Sequence, residues 1–404
     1  MRSVFLGWRV VAAAFLALFV AFGAMYAFAA FFAELEREFS ASRADVSLVF
    51  SLAGFLYFAV GAVSGTLADR AGTRPVVMAG FVLLAAGLLL AARAESLRAV
   101  YLFYGLGVGL GVGFVYVPAL AAVQRWFDRR RGLASGFTVA GIGAGTLAMP
   151  PLAGLLIAQA GWRDTYLLLA GLVLVLGAIA TAMLEHSPEQ RGLPRDGRPT
   201  PAVQPPAGLG LREALRSRPF WLLYLAGVCT SFGMFIPFVH LAPYAIDQGL
   251  SERFGVLLVG LVGLGSMIGR FALGGTADRI GRRWGVGLMF SGMAAMLLLW
   301  LAASGQLALI VFAVLFGTFY GGYVALIPAL TADYFGSYRV AGIIGCLYTG
   351  VGIGTLFGPT LAGLAFDLAG SYTIPITAGV IANLAALTCI AVIEEPGRFR
   401  AGQA

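Results

Sequence analysis

The sequence predicts an all-α membrane protein with twelve transmembrane helices in two pseudo-symmetric six-helix bundles. Its composition is the first reason: of 404 residues, 60% are hydrophobic and 11% charged, and the mean hydropathy is +0.89. A soluble domain of this size needs far more polar surface. The other two reasons are a series of long apolar windows and an internal repeat that divides the chain into similar halves.

Twelve apolar windows are separated by short polar segments, and a helix of about 20 apolar residues can cross a bilayer. The first window is about twice as long as the apolar region of a secretory signal peptide and leads straight to a second window, so we expect it to be retained. The windows lie near residues 8–32, 44–68, 76–92, 98–124, 133–158, 165–184, 219–246, 254–277, 285–303, 307–334, 340–366 and 372–393.

Arginines concentrate in alternate connections, whereas the connections between them are mixed or acidic. By the positive-inside rule, both termini and the 185–218 segment are cytoplasmic, and we expect a multi-pass protein of the bacterial inner membrane. The net charge of +8 does not indicate nucleic acid, because no basic stripe with interleaved aromatic residues occurs outside the loop ends. We expect a monomer in a lipid bilayer, with no cofactor and no metal.

The segment 185–218 is long, polar and rich in proline, which is typical of a flexible linker. It separates an N-terminal bundle, 1–184, from a C-terminal bundle, 219–404. Parallel repeats of this kind occur in carriers whose substrate site lies between the repeats near the bilayer midplane. The halves share stretches at an offset of about 209 residues: GTLADRAG at 65–72 with GGTADRIG at 274–281, VPAL at 117–120 with IPAL at 327–330, and GTLAMPPLAG at 145–154 with GTLFGPTLAG at 354–363.

The repeated loop element has the pattern G-x-x-x-D-R-x-G-x-R. Its glycines allow close helix contact, and its aspartates lie among arginines that can pair with them and latch one half against the other. The element resembles the loop signature of the major facilitator superfamily, and the repeat extends the resemblance over essentially the whole chain. Charges that only set topology would explain the arginines but not the glycines and aspartates. The predicted gating residues are Gly65, Asp69, Arg70, Arg74, Gly274, Asp278, Arg279 and Arg282.

A second stretch, WFDRRRGLASGFTVAG at 126–141, resembles the fifth-helix signature of monocarboxylate porters, with Thr138 where that family usually has alanine. LGWRVV at 6–11 and HLAPYAIDQGL at 240–250 resemble the bacterial oxalate/formate antiporter branch of the same group. From the residues alone, small side chains in this stretch predict a tight helix contact. The glycines expected to form it are Gly132, Gly136 and Gly141.

Arg270 interrupts a run of apolar and small residues from Phe254 to Ala277. It precedes the boundary residue Asp278 by two helical turns, which places it roughly 12 Å deep in a core about 30 Å thick. Burying a lone guanidinium there costs about 2.5 to 15 kcal/mol, depending on hydration. Since no acidic residue lies at comparable depth in any predicted span, a substrate carboxylate held by two hydrogen bonds is the expected counter-charge. A structural arginine satisfied by carbonyls and tyrosines is the alternative.

The resemblance supports the same role, because in the related porters an arginine at this place in helix eight binds the substrate carboxylate. Two departures limit what can be carried over. The mammalian-type porters have a lysine in helix one and an aspartate before the arginine, where this chain has Tyr26 and Ser266. The antiporter branch has a helix-eleven lysine after its YT pair, where this chain has Val351. One buried cation favours a monocarboxylate over a dianion.

His240 is the only histidine within a predicted span and is our candidate for proton coupling. Two alternatives remain open: His240 is a neutral structural histidine, or the proton travels on the acid itself. Tyrosines can donate hydroxyls while their rings face an alkyl chain. The candidate substrate-binding residues besides Arg270 are Tyr116 and Tyr320, which rank first because Pro118 and Pro328 loosen their helices, followed by Tyr26, Tyr348 and Tyr323.

We therefore predict a secondary active transporter that moves a small monocarboxylate such as lactate or pyruvate, in symport with a proton, by alternating access. The alternative is an organic-anion exchanger of the oxalate/formate antiporter type. An intramembrane enzyme would need a nucleophile with a base, or a metal cluster, at membrane depth. One arginine, one histidine and scattered tyrosines supply neither, so we do not expect an enzyme.

Overall fold

The computed structural model describes residues 5–127, 130–194, 208–336 and 340–401. Over these ranges the chain is helical, and its only extended pairing is an isolated bridge between Gly208 and Gly336. The all-helical class is confirmed. Serine side chains begin several helices by accepting a hydrogen bond from a first-turn backbone amide, as Ser42 does from Asp45 and Ser251 from Phe254.

The first half of the chain contains helices α1 to α8 and a π-helical turn. A helix of 53 residues is far longer than a bilayer is thick, and α8 bends sharply at Gly161, whose φ of 81° and ψ of 166° are not helical. The elements are α1 Leu6–Tyr26, α2 Phe28–Glu38, α3 Arg43–Ala59, α4 Gly61–Ala71, α5 Thr73–Ala91, α6 Leu97–Val100, the π-helix Tyr101–Val108, α7 Gly109–Trp126 and α8 Arg131–Met183.

The second half begins with short elements in the connecting segment and continues with long apolar helices. The elements are the 3₁₀ turn Glu189–Arg191, α9 Leu211–Ala214, α10 Arg218–Met234, α11 Ile236–Asp247, α12 Glu252–Ile280, α13 Arg282–Ala302, α14 Gln306–Phe335, α15 Val340–Ala369, α16 Thr373–Val392 and α17 Pro396–Ala401.

Among the described residues, ten helices are long and apolar enough to cross a membrane, or up to eleven if the bent pair α3 and α4 forms one span. Many of their side chains are exposed leucine, isoleucine, valine and phenylalanine, for example Leu368 and Ile381. Such an outer surface is compatible with lipid and not with water. The chain is therefore a multi-pass membrane protein.

The two halves of the chain meet along two helix pairs, α3 on α15 and α8 on α12. At the second contact the backbones approach closely, because a Cβ atom added to Gly263 would lie 2.7 Å from the carbonyl oxygen of Gly143. Within the halves, α1 packs on α8 and α12 packs on α14. These contacts enclose a central space lined from both halves.

The described ends of the chain lie at the same end of the helix assembly, which we call the terminal end. Phe5 packs against Trp126 there, and Phe399 packs against Phe335. The start of α3 and the end of α11 lie at the opposite end, which we call the far end. The central space lies between these two ends.

Candidate functional site

Arg270 projects from α12 into the contact between the halves and is 6% exposed. Its Nη1 donates to the carbonyl oxygen of Val139 on α8 at 2.5 Å. Its Nε and Nη2 have no hydrogen-bond partner among the described residues, and neither has the Oγ of Ser266 one turn earlier. Unpaired buried donors of this kind are rare in proteins. The guanidinium therefore retains two N–H groups that can bind an anion.

Four tyrosines surround this guanidinium, and they form two pairs, each of which joins the two halves. The hydroxyls of Tyr26 and Tyr320 are 3.4 Å apart. Tyr116 and Tyr348 interact through their hydroxyls as the second pair. All four lie within electrostatic range of Arg270. The structure brings together five of the six residues that the sequence singled out for substrate binding.

The sixth, Tyr323, lies further along the same cavity, where its ring packs at 5.4 Å from that of Phe290. The space not filled by protein atoms in the cavity and its opening to solvent is about 430 Å³. Tyr116, Tyr320 and Tyr348 also line it, whereas Tyr26 and Arg270, which are 1% and 6% exposed, are not among the lining residues.

Sequence reasoning missed most of the ring wall of this cavity. Phe22 on α1 lies 5.5 Å from the ring of Tyr57 and 5.4 Å from that of Tyr116. Phe58 lies 5.6 Å from Tyr348. Phenylalanine is common throughout this lipid-compatible chain, with 30 residues, so its presence in a window does not distinguish a cavity from a lipid contact.

His240 lies at the far end, outside the residues that line the cavity, and is fully buried. Its Nε2 is 2.8 Å from the carbonyl oxygen of Pro359, which can only accept, so Nε2 carries a hydrogen. Its Nδ1 is 3.1 Å from the Tyr372 hydroxyl, which accepts from Arg43 at 2.7 Å. With a neutral imidazole, the Tyr372 hydroxyl donates to Nδ1 while it accepts from Arg43.

His240 is one part of a polar cluster that joins the halves at the far end. Arg43, at the start of α3, makes two hydrogen bonds to Asp247 at the end of α11, at 2.6 and 2.7 Å. The Asp367 carboxylate accepts the backbone amides of Arg43 and Ala44, at 3.0 and 2.9 Å, and so caps α3 from the other half. We call Arg43, Asp247, Asp367, Tyr372 and His240 the far-end latch. It joins the two halves at the far end.

The loop-motif residues lie at the terminal end, and three of their described ion pairs do not cross from one bundle to the other. Asp69 pairs with Arg125, and Arg74 pairs with Glu185 at 2.9 Å. In the second half, Arg282 pairs with Asp333 at 2.7 Å. Arg70 and Arg279 are exposed, and Gly65 packs against Val117. The surroundings of Gly274 and of the Asp278 side chain lie outside what the structure describes.

Among the described residues, the ion pairs that join the two halves lie at the far end. At the terminal end the halves contact through the rings of Phe137 and Phe271, which are 45% and 48% exposed. The predicted glycine contact of the fifth-helix stretch forms only in part. Gly141 packs closely on Phe15, but Gly132 faces open space and Gly136 would meet only Phe271. Both lie toward the terminal end.

Comparison with known proteins identifies the family of this chain. The family model described as Major Facilitator Superfamily matches residues 14–279 and 257–403, which together span most of the sequence. The chain belongs to the major facilitator superfamily. The predicted resemblance is thereby confirmed at the level of the superfamily.

Within the major facilitator superfamily, the chain belongs with the monocarboxylate transporters. It is 33% identical to monocarboxylate transporter 11 of Homo sapiens over 382 residues, which cover 91% of this chain and 78% of that protein. It is 30% identical to monocarboxylate transporter 2 of Homo sapiens, over 91% of this chain and 80% of that protein. Monocarboxylate transporter 12-B of Danio rerio is 29% identical over 91% and 82%. These relatives lend no support to the resemblance to oxalate/formate antiporters.

Proposed function

We propose that this major facilitator protein is a secondary active transporter that moves a small monocarboxylate, of the lactate or pyruvate kind, in symport with a proton. In this proposal it lies in the bacterial inner membrane with both termini cytoplasmic, and the terminal end is the cytoplasmic end. The observation that carries the proposal is Arg270, a buried guanidinium with two N–H groups that have no partner among the described residues.

We infer twelve spans in two six-helix bundles, 1–184 and 219–404, joined by the 185–218 linker. The ten long helices include α8, which the break at Gly161 divides into two spans, and exclude the bent pair α3 and α4, which forms one more. The sequence windows 133–158 and 165–184 lie on either side of Gly161 and support this division.

The carboxylate of the substrate binds the two free N–H groups of Arg270 in this proposal. A guanidinium presents its donors in a planar fork that matches the two oxygens of a carboxylate. The hydroxyls of Tyr116, Tyr320 and Tyr348 can donate further hydrogen bonds, because they line the cavity beside the guanidinium. A second negative charge on the substrate would meet no second cation among the lining residues.

Alternating access requires that the far-end latch opens while the terminal end closes. In this structure the latch is formed and two described loop-motif ion pairs lie within single halves. In the opposite state, the exposed loop-motif residues Arg70 and Arg279 would come between the halves. We propose that the loop motifs gate the terminal end in that state.

We propose that His240 couples the proton, and its hydrogen bonds support this role. Protonation would put a hydrogen on both ring nitrogens, so the Tyr372 hydroxyl would have to turn and accept from Nδ1 as well as from Arg43, and the positive imidazole would lie near the Arg43 guanidinium. The contact between His240 and Tyr372 would weaken, and with it the support that Tyr372 gives to Arg43. The groups that face this site are Arg43, Asp247, Asp367, Glu36, the Ser47 hydroxyl and the ring of Phe32. A proton on His240 would therefore favour opening of the far end.

The test is uptake of labelled L-lactate and pyruvate into proteoliposomes with an imposed inward proton gradient. We expect stimulated uptake by the wild type and its loss in Arg270→Ala, because the only described cation beside the cavity is removed. Arg253→Ala is the matched control, since Arg253 is an exposed arginine of the same helix. Arg270→Lys keeps the charge but not the fork, so we expect Km to rise about tenfold or more.

Uptake that is indifferent to Arg270→Ala would contradict the proposed anchor and return Arg270 to a structural role. Uptake that requires an internal anion and ignores the proton gradient would favour an exchanger. Equal losses in Arg270→Ala and Arg253→Ala would show a general effect on folding or reconstitution, which quantification of the inserted protein would reveal.

A further inference from the structure

The wall of the central cavity is unusually rich in aromatic rings for a site that would hold a three-carbon acid. Eight of the thirteen lining residues are phenylalanine or tyrosine, and the other five are aliphatic residues and methionine. Lactate and pyruvate expose a single methyl group beyond their polar atoms. Most of this apolar wall would therefore make no contact with such a substrate.

The rings are arranged around a space and do not simply stack on one another. Phe22 stands nearly perpendicular to Tyr57, at 83°, and to Tyr116, at 85°. Phe58 stands at 69° to Tyr348 across the boundary between the halves. Aromatic rings prefer such edge-to-face contacts with one another. A flat ring that entered between them could make the same kind of contact.

The polar groups of the cavity favour an acid without an amino group. Among its lining residues none is aspartate, glutamate, asparagine or glutamine, so no carboxylate is available to bind an ammonium group. The tyrosine hydroxyls can bind a neutral hydroxyl or keto oxygen beside the carboxylate. An amino acid would bury its ammonium against aromatic rings and the positive charge of Arg270, which costs free energy.

We propose that the preferred substrate of this site is an aryl-substituted monocarboxylate without an amino group, with its carboxylate at Arg270 and its ring against Phe22, Tyr57 and Phe58. The inference rests on the proposed function and narrows its substrate class. The guanidinium projects from α12, whereas these three rings project from α1 and α3 in the other half. Binding of such an acid would engage both halves at once.

The test compares acids that differ only by a phenyl group, with the detergent-purified, full-length protein. Dissociation constants are measured by titration calorimetry for pyruvate against phenylpyruvate and for lactate against phenyllactate, with L-phenylalanine as the amino control. We expect the phenyl group to tighten binding about tenfold or more in both pairs, from the apolar surface that it buries. We expect L-phenylalanine to bind more weakly than phenylpyruvate.

Two matched variants test whether the rings of the cavity wall cause the tighter binding of phenyl-substituted acids. Phe58→Leu removes a ring of the cavity wall. We expect it to reduce the ratio of the dissociation constant of each small acid to that of its phenyl analogue, while the affinity for pyruvate changes little. Phe357→Leu removes a ring that is 51% exposed and does not line the cavity, so the ratio should stay at the wild-type value. Arg270→Ala should abolish binding of all four acids.

The outcomes separate this inference from the proposed function. If pyruvate binds through Arg270 and the phenyl group brings no gain, the preference for aryl acids is overturned and the monocarboxylate carrier stands. If L-phenylalanine binds as tightly as phenylpyruvate, the exclusion of amino acids is overturned. If none of the acids binds and Arg270→Ala changes nothing, the proposed function fails with the inference.

Discussion

At the scale of single residues, Arg270 and His240 are the two buried groups whose charge state matters most for the proposed mechanism. Arg270 was conspicuous in the sequence because it interrupts an apolar run, and the structure adds its partner Val139 and its tyrosine neighbours. A buried cation with free N–H groups is a stronger indication of an anion site than a fully paired one. His240 differs, because each of its nitrogens already has a partner.

His240→Gln tests the proton-coupling role. Glutamine can still donate to the Pro359 carbonyl oxygen but does not titrate, so we expect uptake driven by a proton gradient to fall at least tenfold. Exchange of labelled for unlabelled lactate at equal pH should persist, since it needs no net proton movement. The measurement is uptake and counterflow in the same proteoliposomes.

The matched control is His186→Gln, because His186 lies in the connecting segment at the terminal end, bonded to Thr73. Burial and the nearby Arg125 lower the pKa of His186, so it stays neutral near pH 7. We expect this variant to keep its response to the gradient. Normal gradient-driven uptake by His240→Gln would leave His240 as a structural residue and assign the proton elsewhere.

At the scale of helices, close backbone contact explains why so many glycines lie within the spans. Lipid provides no hydrophobic force that joins one helix to another, so association depends on packing and hydrogen bonds. In the contact between α8 and α12, Gly143 and Gly263 bring the two backbones together beside Arg270. The same contact lets Arg270 reach Val139 across the boundary between the halves.

Gly263→Val tests this contact. A Cβ at that position would lie 2.7 Å from both the Gly143 oxygen and the Leu147 nitrogen, so the helices must separate. We expect a loss of about 1 to 3 kcal/mol in stability, the usual range for overpacking, together with reduced transport. The loss of stability is measured by thermal unfolding of the purified protein. Gly171→Val is the control, because a Cβ there meets nothing within 4 Å. If both variants lose the same stability, the loss does not come from the contact between α8 and α12.

At the scale of the whole molecule, the far-end latch is the feature that defines the observed state. It joins α3 of the first half to α11 and α15 of the second, and it combines an ion pair with a carboxylate cap on α3. The side chain of Arg43 is 12% exposed and makes two hydrogen bonds to one carboxylate, although Asp247 and Asp367 themselves are exposed. We expect this bidentate pair to contribute more than a single exposed contact. Opening the far end must break these contacts together.

A double-mutant cycle on Arg43→Gln and Asp247→Asn measures this coupling. We expect each single change to speed hydrogen exchange at the amides of Arg43 and Ala44, which are bonded to Asp367. At these amides the double variant should exchange only slightly faster than either single variant. This corresponds to a coupling free energy of about 1 to 3 kcal/mol between Arg43 and Asp247. Exchange at these amides is followed by mass spectrometry.

The control cycle uses Arg163 and Glu38, which pair at 2.7 Å near the far end but within the first half, and are 41% and 40% exposed. We expect little effect on the same amides. Strictly additive effects of Arg43→Gln and Asp247→Asn would show that this pair does not hold the far end closed.

Several properties of this protein follow from its linear sequence, because their causes are local. Length and hydropathy of the windows predict membrane-spanning helices, since each backbone hydrogen bond must be made within its own segment in lipid. The gap between two windows predicts the break that the structure has at Gly161. The repeat predicts two similar halves, and the isolation of Arg270 in an apolar run predicts a buried cation. The loop pattern carries the resemblance to the superfamily, which the comparisons confirm.

Only the tertiary structure decided which residues meet across the boundary between the halves. The pairing of Tyr26 with Tyr320 joins residues that are 294 positions apart, and nothing in either local stretch specifies it. The same holds for Arg43 with Asp247 and for the ring wall of Phe22 and Phe58, whose residue types are common throughout the chain. Local sequence determines what each helix can bury, but the packing of all helices together determines which buried groups face one another.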